Sequence, residues 1–179
     1  MKRYIVTGAP GSGKTSIILA LEIQGKTVIH EAATDIIAHK AMLGDMAPWE
    51  KTDFIDDIIR LQQQRQRSCC NHNDVVFYDR SPLCTYALAQ YLKFQPSLLL
   101  LDEIERIQRN SIYEKQVFFI KQLGCITNTD ARKISYEDAT RFEQIHLDVY
   151  RQFGYECIII PAATLSVRVE KILRLVKNN

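Results

Sequence analysis

The chain has 179 residues, which is enough for one domain with a sizeable core and too few for two ordinary domains. Hydrophobic residues make up 46% of the sequence and charged residues 25%, as in ordinary globular proteins, and no apolar stretch reaches the roughly 18–20 residues of a membrane-spanning helix. The formal net charge of +2 and the absence of a dense Lys/Arg run exclude a strongly basic surface, so we expect neither a nucleic acid nor a membrane as a partner.

The cysteines indicate a reducing environment. Their number, five, is odd, no C-x-x-C spacing occurs, and the adjacent Cys69 and Cys70 cannot easily bridge each other. The sequence also runs from Met1 directly into a strand-like segment, so we expect no signal peptide. We therefore expect reduced thiols and a cytoplasmic location.

The first half of the sequence alternates short β-rich runs with helical patterns. Residues 3–7 and 27–29 are rich in β-branched and aromatic side chains and predict two short strands. Apolar positions at helical spacing predict helices over residues 14–24 and 32–43. A third helix is predicted from Thr52, which can cap its first turn.

The second half continues this alternation and contains the most apolar strand. Residues 74–79 (DVVFYD) predict that strand, and Ser81-Pro82 after it are typical of an N-cap followed by the first residue of a helix. The remaining predicted elements are helices over residues 82–92, 96–110 and 135–153, strands over 116–120 and 156–160, and a final helix that carries Val169, Ile172, Leu173 and Val176. The pattern predicts a single α/β domain over residues 1–179, with a parallel sheet and helices on both faces.

Residues 8–15 carry a phosphate-binding motif. GAPGSGKT matches G-x-x-x-x-G-K-[ST] between a predicted strand and a predicted helix, which is the context that the motif requires. Its glycines let backbone N–H groups turn toward phosphate oxygens, Lys14 supplies a cation, and the Thr15 hydroxyl can bind magnesium. The motif predicts a P-loop NTPase domain of five parallel strands in the order 2-3-1-4-5, which binds ATP or another nucleoside triphosphate with Mg²⁺. The predicted nucleotide-binding residues are Gly8, Ala9, Pro10, Gly11, Ser12, Gly13, Lys14, Thr15 and Ser16.

Two apolar runs that end in a carboxylate compete for the role of the magnesium-binding strand. Residues 75–79 end at Asp79, and residues 98–103 (LLLLDE) contain Asp102. The second run lacks β-branched residues and continues into apolar positions at helical spacing, so it predicts a buried helix face. The Asp79 carboxylate would lie at the carboxyl end of a strand beside the P-loop strand, where ligands bind in such sheets. We therefore assign Thr15 and Asp79 to magnesium.

The order of several motifs resembles a known family. GAPGSGKT, HEAATDII after the second strand, VVFYDRSP at the third, and NTDAR before a helix that ends in FGYE are similar to the predicted-ATPase group with an AAA_28-type domain. This group is similar to the ribosylnicotinamide kinase domain of bacterial NAD-biosynthesis regulators and, more distantly, to deoxynucleoside and thymidylate kinases. The resemblance covers residues 3–175, roughly, and implies a nucleotide-binding fold of the kinase type.

The resemblance implies roles for two residues that follow predicted strands. Glu31 stands where nucleoside-kinase-like proteins carry a carboxylate that takes the proton from the attacking hydroxyl, and a solvated residue after a strand is the alternative. Arg80, in the Asp-Arg-Ser element, would face substrate or phosphate, and a structural ion pair is the alternative. Together with Lys14 and Arg132, these residues make up the predicted catalytic set.

Arg132 belongs to a lid-like segment over residues 121–135. The resemblance places it where the lid of P-loop kinases holds phosphate-facing arginines, whose planar fork matches phosphate oxygens. Asp130 would orient Arg132. Lys133 is a weaker candidate, for which a solvated lysine is the favoured interpretation.

Other polar and aromatic residues give weaker indications. Core packing is the favoured interpretation for Trp49, with stacking in a substrate pocket as the alternative. Arg60, Arg65 and Arg67 follow one predicted helix among glutamines, which predicts a solvated face. Metal-ligand spacing does not occur among the four histidines, His30, His39, His72 and His146.

Two functions remain open on the sequence. Glu31, the Asp-Arg-Ser element and a lid arginine favour a small-molecule kinase that transfers the γ-phosphoryl group of ATP to a hydroxyl of a nucleoside-like or other metabolite. The alternative is an ATPase or a nucleotide-dependent switch that acts on a protein partner. The missing D-x-x-G after the third strand and the missing N-K-x-D argue against a GTPase. We expect a monomer or a small homo-oligomer.

Overall fold

The computed structural model describes residues 1–69, 75–123 and 136–177. The strands in these ranges are β1 (Lys2–Thr7), β2 (Thr27–Ile29), β3 (Val75–Asp79), β4 (Gln116–Ile120) and β5 (Glu156–Ile160). The helices are α1 (Lys14–Ile23), α2 (Ala32–Met42), α3 (Asp53–Ser68), α4 (Pro82–Tyr91), α5 (Leu98–Arg109), α6 (Tyr136–Gln152) and α7 (Leu165–Lys177), and a short 3-10 helix spans Pro48–Glu50. Within these ranges, no helix combines the length and the apolar character needed to cross a membrane.

The five strands form one parallel sheet in the order β2-β3-β1-β4-β5. This arrangement confirms the predicted fold class and strand order. β1 lies at the centre, and its residue Val6 pairs with Asp79 on β3 and with Phe118 on β4. Because the strands are parallel, their carboxyl ends meet at the same edge of the sheet. The loop that follows β1 therefore emerges beside the end of β3.

The two faces of the sheet are covered by different helices. Successive side chains along a strand point to opposite faces. Ile5 and Tyr78 pack into a cluster with residues of α3, α4, α5 and α6, whereas Val6 and Phe77 pack into a second cluster with α1 and α7. Each strand contributes to both cores, which explains why consecutive residues within it are apolar.

The leucine-rich run at residues 98–101 lies at the start of α5, as its composition predicts. The Oγ atom of Ser97 accepts a hydrogen bond from the Leu100 N–H at 3.2 Å and so caps the helix. Asp102 is exposed on this helix, away from the sheet. The carboxylate that ends an apolar strand beside β1 is therefore Asp79.

Candidate active site

The phosphate-binding motif forms the loop between β1 and α1. Its glycine at position 8 has φ 142°, and a Cβ atom there would lie 2.3 Å from the Ile120 carbonyl oxygen on β4, so a side chain has no room. Gly13 has φ 82° and is the N-cap of α1, whose positive end therefore faces the loop. Gly8, Ala9 and Ser12 are buried, Pro10 and Gly13 are half-buried, and Gly11 is exposed.

The Lys14 side chain folds over this loop. Its Nζ atom donates to the carbonyl oxygen of Ala9 at 2.9 Å and to the Ser12 Oγ atom at 3.4 Å, and only 7% of the residue is exposed. Both acceptors are neutral, so phosphate oxygens can replace them with stronger, charge-assisted bonds. Thr15 and Ser16 follow on the exposed side of the first turn of α1.

Asp79 is a buried carboxylate at the end of β3. Its Oδ1 atom has no hydrogen-bond partner within the described ranges. Burial and the nearby Glu31 carboxylate raise the pKa of Asp79 above its ordinary value, against the opposing influence of Lys14 and Arg80. A buried, unpartnered carboxylate oxygen fits a divalent cation, which prefers oxygen ligands.

Thr15 and Asp79 open on the same cavity, which fits their assignment to one ion. Residues 1–69, 75–123 and 136–177 hold no cluster of three or more His, Cys, Asp or Glu side chains able to bind a metal. Phosphate oxygens and water would therefore have to complete the coordination of magnesium, as is common for this ion.

A cavity of about 520 Å³ lies beside the phosphate-binding loop, and its volume is typical of a small-molecule site. β2 and the residues after it form one wall, and the end of β3 forms another. The start of α1, the first turn of α2 and one residue of α3 complete it. The lining residues are Thr15, Val28, Ile29, His30, Glu31, Thr34, Asp35, Arg65 and Asp79.

Glu31 and Arg80 form an ion pair next to this cavity. The Arg80 Nε atom donates to Glu31 Oε1 at 2.6 Å, and the Thr34 hydroxyl donates to Glu31 Oε2 at 2.7 Å. Burial would lower the pKa of Arg80, but Glu31 and the neighbouring Cys84 and Asp79 raise it by more, so the guanidinium remains charged. The carboxylate of Glu31 is thus oriented from two sides.

The backbone at Arg80 adopts a left-handed conformation that is unusual for a residue with a side chain. Its φ is 73°, and its N–H donates to the Val6 carbonyl oxygen at 3.0 Å. Such a conformation costs roughly 1–3 kcal/mol and persists where surrounding contacts determine it. The hydrogen bond to β1 and the ion pair with Glu31 are two of these contacts.

Arg65 contradicts the prediction of a solvated arginine face on α3. Its guanidinium donates to the carbonyl oxygens of His30 at 2.9 Å and Glu31 at 3.0 Å, and it forms an ion pair with Asp35. The prediction was wrong because the partners lie 34 and 35 residues away on the β2–α2 connection. Arg65 therefore holds the backbone that carries Glu31. Arg60 and Arg67 are exposed, as predicted.

His146 on α6 is a residue that the sequence did not indicate. It is fully buried, and its Nδ1 atom donates to the Phe142 carbonyl oxygen at 2.9 Å. Nε2 is then the acceptor and faces Arg80 Nη1 at 3.4 Å. Burial, followed by the charge of Arg80, lowers the pKa of His146 to about 3. A neutral imidazole thus accepts a hydrogen bond from the charged guanidinium. In the sequence, the position of His146 among the apolar residues of α6 was the one feature that could have indicated its burial.

Tyr150, one turn further along α6, joins a buried hydrogen-bond cluster that was also not predicted. Its hydroxyl lies 2.8 Å from Ser81 Oγ and 2.9 Å from Cys84 Sγ, and Cys84 Sγ lies 3.1 Å from Thr7 Oγ1. Ser81 is the N-cap of α4, as predicted, but its hydroxyl contacts Tyr150 and does not cap the helix backbone. The cluster connects α6 to the ends of β1 and β3.

Some predicted residues do not join this site. Arg132, Asp130 and Lys133 lie outside the described residues, as does most of the lid-like segment. The prediction that Trp49 packs in the core is wrong, because 37% of the residue is exposed. Trp49 lies in the short 3-10 helix Pro48–Glu50, in which Pro48 alone is buried. This single turn buries the Pro48 side chain and leaves that of Trp49 partly in solvent.

The fold is similar to those of solved nucleoside and nucleotide kinases. Deoxyadenosine kinase from M. mycoides with bound dCTP matches over 100% of both chains, with a TM-score of 0.64 and 13% sequence identity. Thymidylate kinase from Ehrlichia chaffeensis matches over 98% of both chains, with a TM-score of 0.64 and 14% identity. Thymidylate kinase from Candida albicans matches over 99% of this chain and 92% of its own, with a TM-score of 0.61 and 13% identity. These similarities establish the fold alone.

The family of the chain follows from its sequence, because the similar structures establish the fold alone. No curated protein matches it. The family model AAA_28, described as an AAA domain, matches residues 3–168 and thus includes the phosphate-binding loop, Glu31, Asp79, Arg80 and His146. The chain therefore belongs to the AAA_28 family of AAA domains.

Proposed function

We propose that the protein is a magnesium-dependent kinase that transfers the γ-phosphoryl group of ATP to a hydroxyl group of a small molecule. The observation that carries the proposal is the cavity beside the phosphate-binding loop, on which Thr15, Glu31 and Asp79 all open. Phosphoryl transfer depends on holding the nucleotide, the metal and the acceptor hydroxyl in one place. The cavity provides that place.

The nucleotide side of the reaction is assigned to residues 8–16. Backbone N–H groups of the loop and the positive end of α1 bind phosphate oxygens, and the Lys14 ammonium moves from Ala9 and Ser12 to them. Magnesium, when bound, would neutralise charge on the transferred group. Thr15 and Asp79 are its proposed protein ligands. The expectation that Arg132 faces the same phosphates remains a prediction.

Glu31 is the proposed general base. The acceptor oxygen attacks the γ-phosphorus, the bond between that phosphorus and the β–γ bridging oxygen breaks, and the proton of the acceptor hydroxyl passes to the Glu31 carboxylate. Arg80 and Thr34 hold the two carboxylate oxygens in a fixed orientation beside the cavity on which Glu31 opens. Arg80 therefore acts mainly through Glu31.

The charges around the cavity favour an acceptor without a phosphate group. Glu31, Asp35 and Asp79 line it, and the lining guanidinium of Arg65 is paired with Asp35. Arg80, next to it, is paired with Glu31. An acceptor phosphate would meet carboxylates and arginines whose charge is already balanced. A neutral, nucleoside-like hydroxyl compound avoids this repulsion.

The test is a phosphoryl-transfer screen with Mg²⁺-ATP against nucleosides, their monophosphates and hydroxylated vitamins, with products identified by mass spectrometry. We expect phosphorylation of at least one acceptor without a phosphate group and none of the monophosphates. ADP release without any acceptor is measured in parallel. If ATP is hydrolysed and no acceptor is ever phosphorylated, the kinase proposal fails and the ATPase or switch takes its place.

A further inference from the structure

Arg168 on α7 contacts the phosphate-binding loop from behind. Only 3% of this residue is exposed. Its Nη2 atom donates to the carbonyl oxygen of Ser12 at 2.7 Å and to that of Lys121, just after β4, at 3.1 Å. One guanidinium thus ties the loop to the neighbouring strand, although Arg168 lies 156 residues beyond Ser12 in the sequence.

The contact fixes one particular peptide unit of the loop. In a trans peptide the C=O and N–H groups point in opposite directions. Because the Ser12 carbonyl oxygen points to Arg168, the N–H of Gly13 points to the other side of the loop. The Nη1 atom of Arg168 would also lie only 3.1 Å from a Cβ atom on Gly13, so the guanidinium lies directly behind this peptide. Arg168 thereby orients a backbone donor of the phosphate-binding motif.

The part of the chain that the structure describes offers no counter-charge to Arg168. In residues 1–69, 75–123 and 136–177, no carboxylate forms an ion pair with it, and its Nε atom is buried without a hydrogen-bond partner. Glu143 is paired with the side chain of Lys121, whose carbonyl oxygen accepts the hydrogen bond from Arg168. Burial lowers the pKa of Arg168, yet a guanidinium remains protonated in proteins. A buried cation of this kind is stabilised when an anion binds close by.

We propose that Arg168 is a positioning residue of the nucleotide site, which holds the Ser12–Gly13 peptide and supplies a fixed positive charge that a bound polyphosphate compensates. The inference uses only the nucleotide-binding part of the proposed function. It does not depend on phosphoryl transfer to an acceptor. Lys14 is the mobile cation on the inner side of the loop, and Arg168 is the fixed cation behind it.

The experiment compares Arg168→Met and Arg168→Lys with the unmodified protein. Binding of Mg²⁺-ATP and of inorganic tripolyphosphate is measured by calorimetry, and thermal unfolding is measured with and without ATP. We expect Arg168→Met to weaken both ligands by the same factor, about tenfold to a hundredfold, as for the loss of a charge-assisted hydrogen bond. Arg168→Lys keeps the positive charge but loses the planar guanidinium, so its affinity for both ligands should lie between those of Arg168→Met and the unmodified protein.

Arg174→Met is the matched control, because Arg174 lies on the same helix but is 70% exposed and paired with Glu170. Its affinity for both ligands should equal that of the unmodified protein. A purely structural Arg168 would lower the thermal unfolding temperature of Arg168→Met while the folded protein binds ATP and tripolyphosphate normally. That result overturns the proposal, as does a loss of ATP affinity without a loss of tripolyphosphate affinity. Should Arg168→Met not fold, Arg168→Lys decides by the same comparison.

The outcome is separable from that of the kinase proposal. If the acceptor screen finds no phosphorylated product and Arg168→Met still weakens polyphosphate binding, the kinase assignment fails and the role of Arg168 stands. If a product is found and Arg168→Met binds polyphosphate normally, the reverse holds.

Discussion

The phosphate-binding loop and the cavity beside it are built in different ways. The loop consists of consecutive residues, 8–15, and its shape depends on glycines at fixed positions and on the start of α1. The cavity is assembled from four separate segments, and the ion pair next to it joins Glu31 to Arg80, which lie 49 residues apart in the sequence. In the proposed function, the loop binds phosphate oxygens mainly through backbone N–H groups, whereas the cavity presents side chains to the acceptor.

This difference separates what each region can change. A backbone cradle recognises phosphate in any nucleotide, so its sequence is shared by many proteins with different acceptors. Side chains on the cavity wall can be exchanged without altering the sheet, so under the proposed function we expect specificity for the acceptor to reside there. Substitutions in the loop should therefore affect nucleotide binding, and substitutions in the cavity should affect transfer.

The largest effect is expected for Glu31→Gln. Gln keeps the size and one acceptor oxygen but cannot take a proton, so phosphoryl transfer should fall by roughly 10²–10⁴ while ATP affinity holds. Rates are measured with the acceptor found in the screen, and ATP binding by calorimetry. Glu50→Gln is the matched control, since Glu50 is exposed on the short 3-10 helix and does not line the cavity, and it should transfer at the unmodified rate. Transfer at the unmodified rate in Glu31→Gln would remove Glu31 from the reaction.

The second effect concerns Lys14→Ala, which acts on the loop alone. Loss of the ammonium should weaken ATP binding by about a hundredfold, because it removes charge-assisted contacts to phosphate. The fold should persist, since Lys14 contributes hydrogen bonds to Ala9 and Ser12 but no packing to either sheet core. Calorimetry and thermal unfolding test both statements. Unchanged ATP affinity in a folded variant would contradict the loop assignment.

A comparison of Asp79→Asn with Asp102→Asn tests which carboxylate serves magnesium. Asp79→Asn should raise the magnesium concentration needed for ATP binding by roughly tenfold to a hundredfold, the scale seen when support for a bound metal is lost. Asp102 is exposed on α5, and its substitution should change nothing. Titration of ATP binding with Mg²⁺ measures the difference. Equal behaviour of the two variants would exclude Asp79 as a ligand.

The smallest effect is expected on stability, through His146. Its pKa of about 3 in the folded chain lies below the ordinary value of about 6.5, so between these values the unfolded chain binds a proton that the folded chain does not. The free energy of unfolding should therefore fall as the pH falls from 6.5, by up to about 1.4 kcal/mol per pH unit. Denaturant titrations should show a flatter pH dependence for His146→Gln. His39→Gln, an exposed control on α2, should retain the original slope.

Much of the fold could be predicted from short patterns of neighbouring residues in the sequence. The strand order, the loop, the helical nature of residues 98–101 and the position of Asp79 were all predicted, because each depends on neighbouring residues or on general rules for parallel sheets. The contacts of Arg65, His146 and Arg168 were not. Each connects segments at least 30 residues apart. The residues next to an arginine or histidine in a helix do not indicate which distant segment it contacts.

The left-handed backbone at Arg80 has a consequence for mutagenesis. Replacement by alanine would remove the guanidinium and leave a Cβ atom in a conformation that disfavours it by roughly 1–2 kcal/mol, now without the ion pair that helps to hold it. Glycine adopts the same φ of 73° without that penalty. At this position, glycine is therefore the milder substitution. Arginine already carries the same Cβ penalty as alanine, so Arg80→Ala reports the loss of the guanidinium, whereas Arg80→Gly also relieves the backbone strain and would understate the contribution of the side chain.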